Sequence, residues 1–257
     1  MCYSATSATL RALKYAIHRG DENLAEQLLR ELNELQILKD PRYYADAFSH
    51  PRLLVFTNEL PFKPQAFTWG LIPIWCKSME DAKKAWNTTL NARGETIFEK
   101  PSFKNSAKNK RCLIYLDAFY EHHHANKRTY PFRIKMKDGS PFAVAGLWEE
   151  WVDKATGEVF KTATVVTTTG NALMSKIHNN PAAEMGPRMP VILAKEDQDK
   201  WLMECKSETD QKCIQDLIKP FNAELMVAHT VGKLKGKEAI GNVPEVENEV
   251  VYPELSI

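Results

Sequence analysis

The chain has no Cys-x-x-Cys pair. Its five cysteines, Cys2, Cys76, Cys112, Cys205 and Cys213, fall at irregular intervals. That spacing fits no zinc site and predicts free thiols in a reducing compartment. No run approaches 18 apolar residues and the start carries no apolar leader core, so neither a membrane span nor a secretory signal is expected. The expected location is the cytoplasm, at the nucleoid if the source is bacterial. A surplus of either charge is also missing: 34 Lys and Arg stand against 33 Asp and Glu, a formal net charge of +1. This excludes a globally basic nucleic-acid binder and leaves room only for a local basic groove. Internal repeats and low-complexity linkers are absent, so 1–257 reads as a single domain, expected as a monomer, and no cofactor is expected.

What is present is material for a core: 44% hydrophobic residues, with six Trp, eight Tyr and eleven Phe. Leu10, Leu13, Ile17, Leu24, Leu28, Leu32 and Leu35 recur every three or four residues, predicting a helical insert over about 9–39, with Asp21 placed to cap its second helix. From Phe67 onward the texture changes to short strands. Alternating apolar residues over Phe67–Trp75, followed by a turn, predict one strand, and others are predicted at Arg111–Leu116, Tyr130–Met136, Phe142–Ala145, Trp148–Val152, Val159–Thr168, Arg188–Leu193 and Ala223–Ala228. Ser78 to Asp81 reads as a capping box, and further helices are expected at Asn171–His178, Glu196–Cys205 and Ser207–Ile218. The pattern predicts an α+β domain: a curved antiparallel sheet or open barrel-like core with peripheral helices and a tail after about 241.

Cys2 is the residue of greatest chemical interest. Removal of Met1 would leave a cysteine bearing an α-amine and a thiol on adjacent carbons. With unperturbed pKa values of about 7.7–8.0 and about 8.5, part of each group would be nucleophilic at neutral pH. An amine adds to an aldehyde, a neighbouring thiol closes a ring onto the product, and a thiol alone attacks an acyl carbon. Candidate partners are Glu121, an acid among Leu116, Phe119 and Tyr120 whose pKa desolvation would raise, and His178, a near-neutral proton shuttle. Asn91 and Arg93 offer an amide and a guanidinium to orient an amine and a phosphate. The triplet His122–His124 alternates faces on a strand and has no Cys or carboxylate pair to complete a site, so no metal is expected. Lys100 to Arg111 holds five bases and no acid, either a solvated loop or a track for a phosphate backbone.

Cys2, Trp69-Gly70-Leu71-Ile72-Pro73-x-Trp75, Asn91-Ala92-Arg93-x-Glu95-Thr96, Arg111-Cys112-Leu113, Asp117-x-Phe119-Tyr120-Glu121, Ala145-Gly146-Leu147-Trp148-Glu149 and Arg188-Met189-Pro190-Val191 occur in order. Together they resemble the SOS response-associated peptidase (SRAP) family. The resemblance implies recognition of an abasic site in single-stranded DNA and a covalent bond to it through Cys2, first as a Schiff base and then as a thiazolidine. It implies that Asn91 positions the amine and that Glu121 and His178 move protons. Arg93 and Arg188 match phosphate contacts, and Pro51 and Trp75 match residues that wedge and stack against bases. The chain departs from the family pattern at Tyr3-Ser4, Cys76, Ala118 and His122, and by the segment 179–187 between His178 and Arg188. The alternative reading is a thiol peptidase with Cys2 as N-terminal nucleophile. It would need an oxyanion hole, for which the sequence carries no signal.

Overall fold

The computed structural model describes residues 2–7, 42–180 and 186–255. The helical insert expected over 9–39 lies outside these residues, as does most of the segment between His178 and Arg188. Eleven strands are described: β1 (Ser4–Ser7), β2 (Ala45–Asp46), β3 (Arg52–Thr57), β4 (Gln65–Trp69), β5 (Asn91–Arg93), β6 (Arg111–Ala125), β7 (Arg128–Met136), β8 (Phe142–Val152), β9 (Val159–Thr169), β10 (Arg188–Pro190) and β11 (Met226–Thr230). Five helices accompany them: α1 (Met79–Trp86), α2 (Lys104–Asn109), α3 (Ala172–Ile177), α4 (Lys195–Leu202) and α5 (Glu208–Asp216). The fold is α+β.

Five strands close on themselves. β3 pairs with β4, β4 with β9, β9 with β8, β8 with β6, and β6 with β3. The β4–β9 seam is parallel, and so is the pairing of β5 with β9; the other ladders are antiparallel. Closure leaves these five strands without a bare edge. Strand alternation then sorts the side chains. Leu53, Val55, Phe67, Trp69, Cys112, Ile114, Phe142, Val144, Ala163 and Val165 share the inner cluster. Their neighbours Leu54, Phe56, Leu113, Tyr115, Ala143, Ala145 and Val166 join Trp201, Ile214 and Leu217 of the α4–α5 region outside. Trp201 pins α4 to the wall by donating from its indole to the Cys112 and Gly146 carbonyls, at 3.0 and 3.3 Å.

Two predicted strands prove to be one. β8 runs unbroken from Phe142 to Val152 because Gly146, which reads as punctuation, lies inside the barrel wall. A Cβ there would come within 2.7 Å of Ile114 Cδ1 and 2.8 Å of Cys112 Sγ, so the glycine is required by close approach. The cap at Ser78 is where the sequence places it, Ser78 Oγ accepting from the Asp81 amide, although Asp81 Oδ2 accepts from the Lys77 amide; a reciprocal capping box forms at Ser207 and Asp210 on α5, where the sequence predicts only a helix.

β6 carries the site. Its first half belongs to the barrel, and its second half leaves to pair with β7 from Phe119 to Ala125. The departure is a bulge. β1 pairs Thr6 with Ala118 but Ser7 with Leu116, which leaves Asp117 as the extra residue and bends the strand. The segment after 241 packs along β11, with Val250 donating to the Thr230 carbonyl at 2.9 Å and Tyr252 to that of Val231 at 2.9 Å. Glu247 in this segment pairs with Arg133 of β7 at 2.8 Å, and its carboxylate meets Thr6 Oγ1 of β1 at 3.4 Å.

Candidate active site

β1 delivers Cys2 to the bent half of β6. Ala5 faces Phe119 and Thr6 faces Ala118, and the same register carried back along the chain sets Tyr3 opposite Glu121 and Cys2 opposite His122, close enough for the Glu121 charge to act on the Cys2 thiol. Cys2 is fully buried, with its thiol 3.7 Å from the Ser4 carbonyl. Burial, and after it the Glu121 charge, push the thiol up to about 12. This corrects the expectation of a partly ionised thiol, since a thiolate loses its hydration when sealed in an apolar wall.

Glu121 is 7% exposed, and burial raises its carboxyl to about 7. The cause is the one its neighbours imply: Phe119 and Tyr120 flank it, both buried. His178 meets it from the other side, with Nδ1 3.7 Å from Glu121 Oε2. Burial is the largest cause of the shift at both groups. Burial takes His178 down to about 4. At neutral pH the site therefore holds a neutral imidazole beside a carboxyl close to half protonation.

The ten-residue separation of His178 and Arg188 does not part them. His178 closes α3, its amide bonded to the Met174 carbonyl at 2.7 Å, and its Nδ1 faces the Arg188 amide at 3.4 Å and carbonyl at 3.3 Å. Asn179 adds a clamp missed in the sequence. Its side chain accepts from the His124 amide at 2.6 Å and donates to the His124 carbonyl at 2.9 Å, imitating a strand partner for β6. Its position directly after His178 was the available signal.

Asn91 and Arg93 lie on one face of β5, with the fully buried Ala92 turned the other way. Asn91 is buried, and among the described residues neither its amide nitrogen nor its carbonyl oxygen has a hydrogen-bond partner. Buried side-chain amides are nearly always satisfied, so this one is an interaction in waiting. Arg93 is exposed, and both its charge and that of Glu121 act on the Tyr3 hydroxyl.

Arg188 is placed differently from a free phosphate contact. It is 4% exposed and bidentate to Glu95, at 2.6 and 2.8 Å, with a further bond to the Thr167 carbonyl at 2.9 Å. It holds β10 against β5 and β9. Pro51 is buried, its carbonyl accepting from the Trp69 amide. Trp75 is half exposed together with Ile74, on a turn pinned by Cys76, whose carbonyl accepts from the Trp151 indole at 2.8 Å.

The two bases that end the run are spent on the fold, while Lys100, Lys104 and Lys108 are exposed. Arg111 is fully buried and donates to the Trp201, Lys108, Ala107 and Met203 carbonyls, and Lys110 is paired with the buried Glu149. Arg111 lies ten residues along β6 from Glu121, a contour of about 33 Å for extended chain. Among the described residues no group of three His, Cys, Asp or Glu is placed to hold a metal ion. Within the histidine triplet, His123 Nδ1 contacts the Lys176 carbonyl at 2.9 Å.

A profile of the SOS response associated peptidase (SRAP) family matches residues 13–237. The chain belongs to this family. It is similar to the abasic site processing protein YoqW of Bacillus subtilis strain 168, 35% identical over 225 residues that cover 86% of this chain and 93% of that one. It is also similar to the abasic site processing protein HMCES of Pongo abelii, at 28% identity over 95% of this chain and 73% of the other. A crystal structure of a Bacteroides thetaiotaomicron protein superposes with a TM-score of 0.78 at 34% identity, covering 97% of this chain and all of that one. Among the described residues, no helix is long and apolar enough to cross a membrane.

Proposed function

We propose that this protein bonds covalently to abasic sites in single-stranded DNA through Cys2, once Met1 has been removed. The observation that carries the reading is the buried Glu121–His178 pair set beside Cys2, with a carboxyl near pKa 7. Abasic-site processing is also what the names of YoqW and HMCES state for those relatives.

The chemistry balances with the groups at hand. The Cys2 amine adds to the aldehyde carbon of the ring-opened sugar, and the resulting carbinolamine loses water to give a Schiff base. Glu121 in its acid form supplies the proton that the departing hydroxyl needs, and His178 takes up the proton shed by the amine. The thiol then adds across the C=N bond, sulfur to carbon and its proton to nitrogen, closing a thiazolidine. A thiol held un-ionised until this last step fits the order amine first, sulfur second. The Asn91 amide orients the amine, Arg93 contacts a flanking phosphate, and Trp75 stacks on a base. Arg188 and Pro51 act by holding the His178 strand and the loop before β3. The protein works as a monomer on DNA in the cytoplasm or at the nucleoid. Amide hydrolysis by the Cys2 thiolate is disfavoured by the same burial that raises its pKa.

The test is a denaturing gel of the protein mixed with single-stranded DNA bearing one abasic site. A heat-stable adduct is expected, lost in Cys2→Ala and in a variant with residues inserted before Cys2. No adduct with the native protein defeats the reading.

A further inference from the structure

The strand that carries Cys2 also carries an aromatic pair. Tyr3 and Phe48 lie with ring centroids 5.1 Å apart and planes tilted by 32°. Phe48 is 50% exposed, yet it does not sit on a loose loop. It belongs to a 3-10 turn, Ala47–Ser49, in which Asp46 Oδ1 accepts from the Phe48 amide at 3.3 Å and Ser49 Oγ donates to the Asp46 carbonyl at 2.7 Å. The turn is tied to the Cys2 strand by the Ala47 amide, which donates to the Tyr3 carbonyl at 2.8 Å, and Ala47 itself is fully buried. His50 ends it in the left-handed region at φ 48°, with Nδ1 2.7 Å from the Trp69 carbonyl. A phenyl ring held in water by a fully bonded turn is preorganised for contact.

Two cations lie near the pair, each with an acid close by: Lys235 beside Asp46, and Arg93 with Glu121 at Tyr3. Lys235 Nζ lies 5.6 Å from the Phe48 centroid and 2.8 Å from Asp46 Oδ2, and the Arg93 charge reaches Tyr3. Lys235 is half exposed on a flexible stem, so it can exchange Asp46 for a phosphate. Flat rings, flanking cations and a peptide bond to the reactive cysteine match one ligand chemistry: the base and phosphate of a nucleotide adjoining the one held at Cys2.

We propose that Tyr3 and Phe48 form a stacking platform for the nucleobase next to the lesion in single-stranded DNA, with Lys235 beside it for the phosphate. The choice of a neighbouring nucleotide rests on the proposed function; the platform's affinity for single strands does not. The test uses the full chain and Phe48→Ala, Phe48→Leu and Phe48→Trp, each checked for an unchanged melting temperature. Binding of undamaged single-stranded DNA is measured first. Base stacking of about 1–3 kcal/mol corresponds to a loss of roughly 5- to 150-fold in affinity for Phe48→Ala and Phe48→Leu. Phe48→Trp is expected to retain the native value. A 2-aminopurine placed beside an abasic site should be quenched by the native protein and by Phe48→Trp and stay bright with Phe48→Ala. Unchanged affinity and quenching in Phe48→Ala would overturn the platform. If the native protein gives no adduct but Phe48→Ala still loses affinity, the covalent reading fails and the platform stands.

Discussion

Nδ1 of His178 and Oε2 of Glu121 lie 3.7 Å apart although 57 residues separate them in the chain. Each arrives on a different element, α3 and the bent half of β6, and each is stripped of water by the other's surroundings. Their titrations shift in opposite senses, Glu121 to about 7 and His178 to about 4, a divergence that suits the separate acid and base roles proposed for them.

The pH dependence of stability follows from those two shifts. Between about 4.5 and 7 the folded state keeps a proton on Glu121 that the unfolded chain releases, so this group lowers stability as pH rises and its full cost is present above 7. Glu121→Gln is therefore expected to be more stable than the native protein at pH 8, by about 1–3 kcal/mol, and no more stable at pH 4.5. His178 works in the opposite sense: the unfolded chain binds its proton below 6.5 and the folded state only below about 4, so its contribution is lost as pH falls through that window. Melting curves at pH 4.5, 6 and 8 on the native protein, Glu121→Gln and His178→Gln check both signs.

Adduct formation should carry the Glu121 titration directly. The rate with abasic DNA is expected to fall as pH rises above about 7 and the acid form disappears. Glu121→Gln should be slower by about 10²- to 10⁴-fold and show no break at that pH. A break that survives the substitution would assign it elsewhere.

In the proposed function, Asn91 trades stability for activity. Both amide atoms are buried without partners, an arrangement that costs about 1–3 kcal/mol. Asn91→Leu, close in volume, is expected to melt at or above the native temperature while forming adduct at least tenfold more slowly. A variant that loses both stability and rate would make Asn91 a structural residue.

The two arginines should separate cleanly. Arg188→Ala removes the buried member of a bidentate pair whose Glu95 carboxylate is partly exposed, together with a bond to the Thr167 carbonyl, and is expected to cost about 1.5–3 kcal/mol, read in urea unfolding. Arg93→Ala should leave stability unchanged, weaken binding to single strands, and reduce the slope of log affinity against log salt by about 0.7. Lys104→Ala and Lys108→Ala, on α2 by the buried Arg111, should change neither.

Much of this was legible along the chain because its physical cause is local. The cap at Ser78, the alternation that opens at Phe67 and the apolar neighbours of Glu121 each depend on residues within a few positions, so the sequence carries them. Local pattern misled where the decisive neighbour is remote. Gly146 reads as a turn until Ile114 and Cys112 are found against its Cα. Arg111 reads as one base in a run until the carbonyls of α4 take its guanidinium.

The sequence by itself determined the parts: a cysteine at the second position, an acid among apolar neighbours, a histidine at a helix end, and an ordered series of motifs that marks the family. Tertiary structure alone decided how those parts act. Closure of the barrel and the bulge at Asp117 bring Cys2, Glu121 and His178 into one dry place, and dryness sets their proton affinities. Which arginine is free, and which aromatic stays in water, likewise depended on partners tens of residues away. Charge and burial are properties of the whole surrounding shell, and a shell assembled from β1, β6, α3 and β10 has no counterpart in any single stretch of chain.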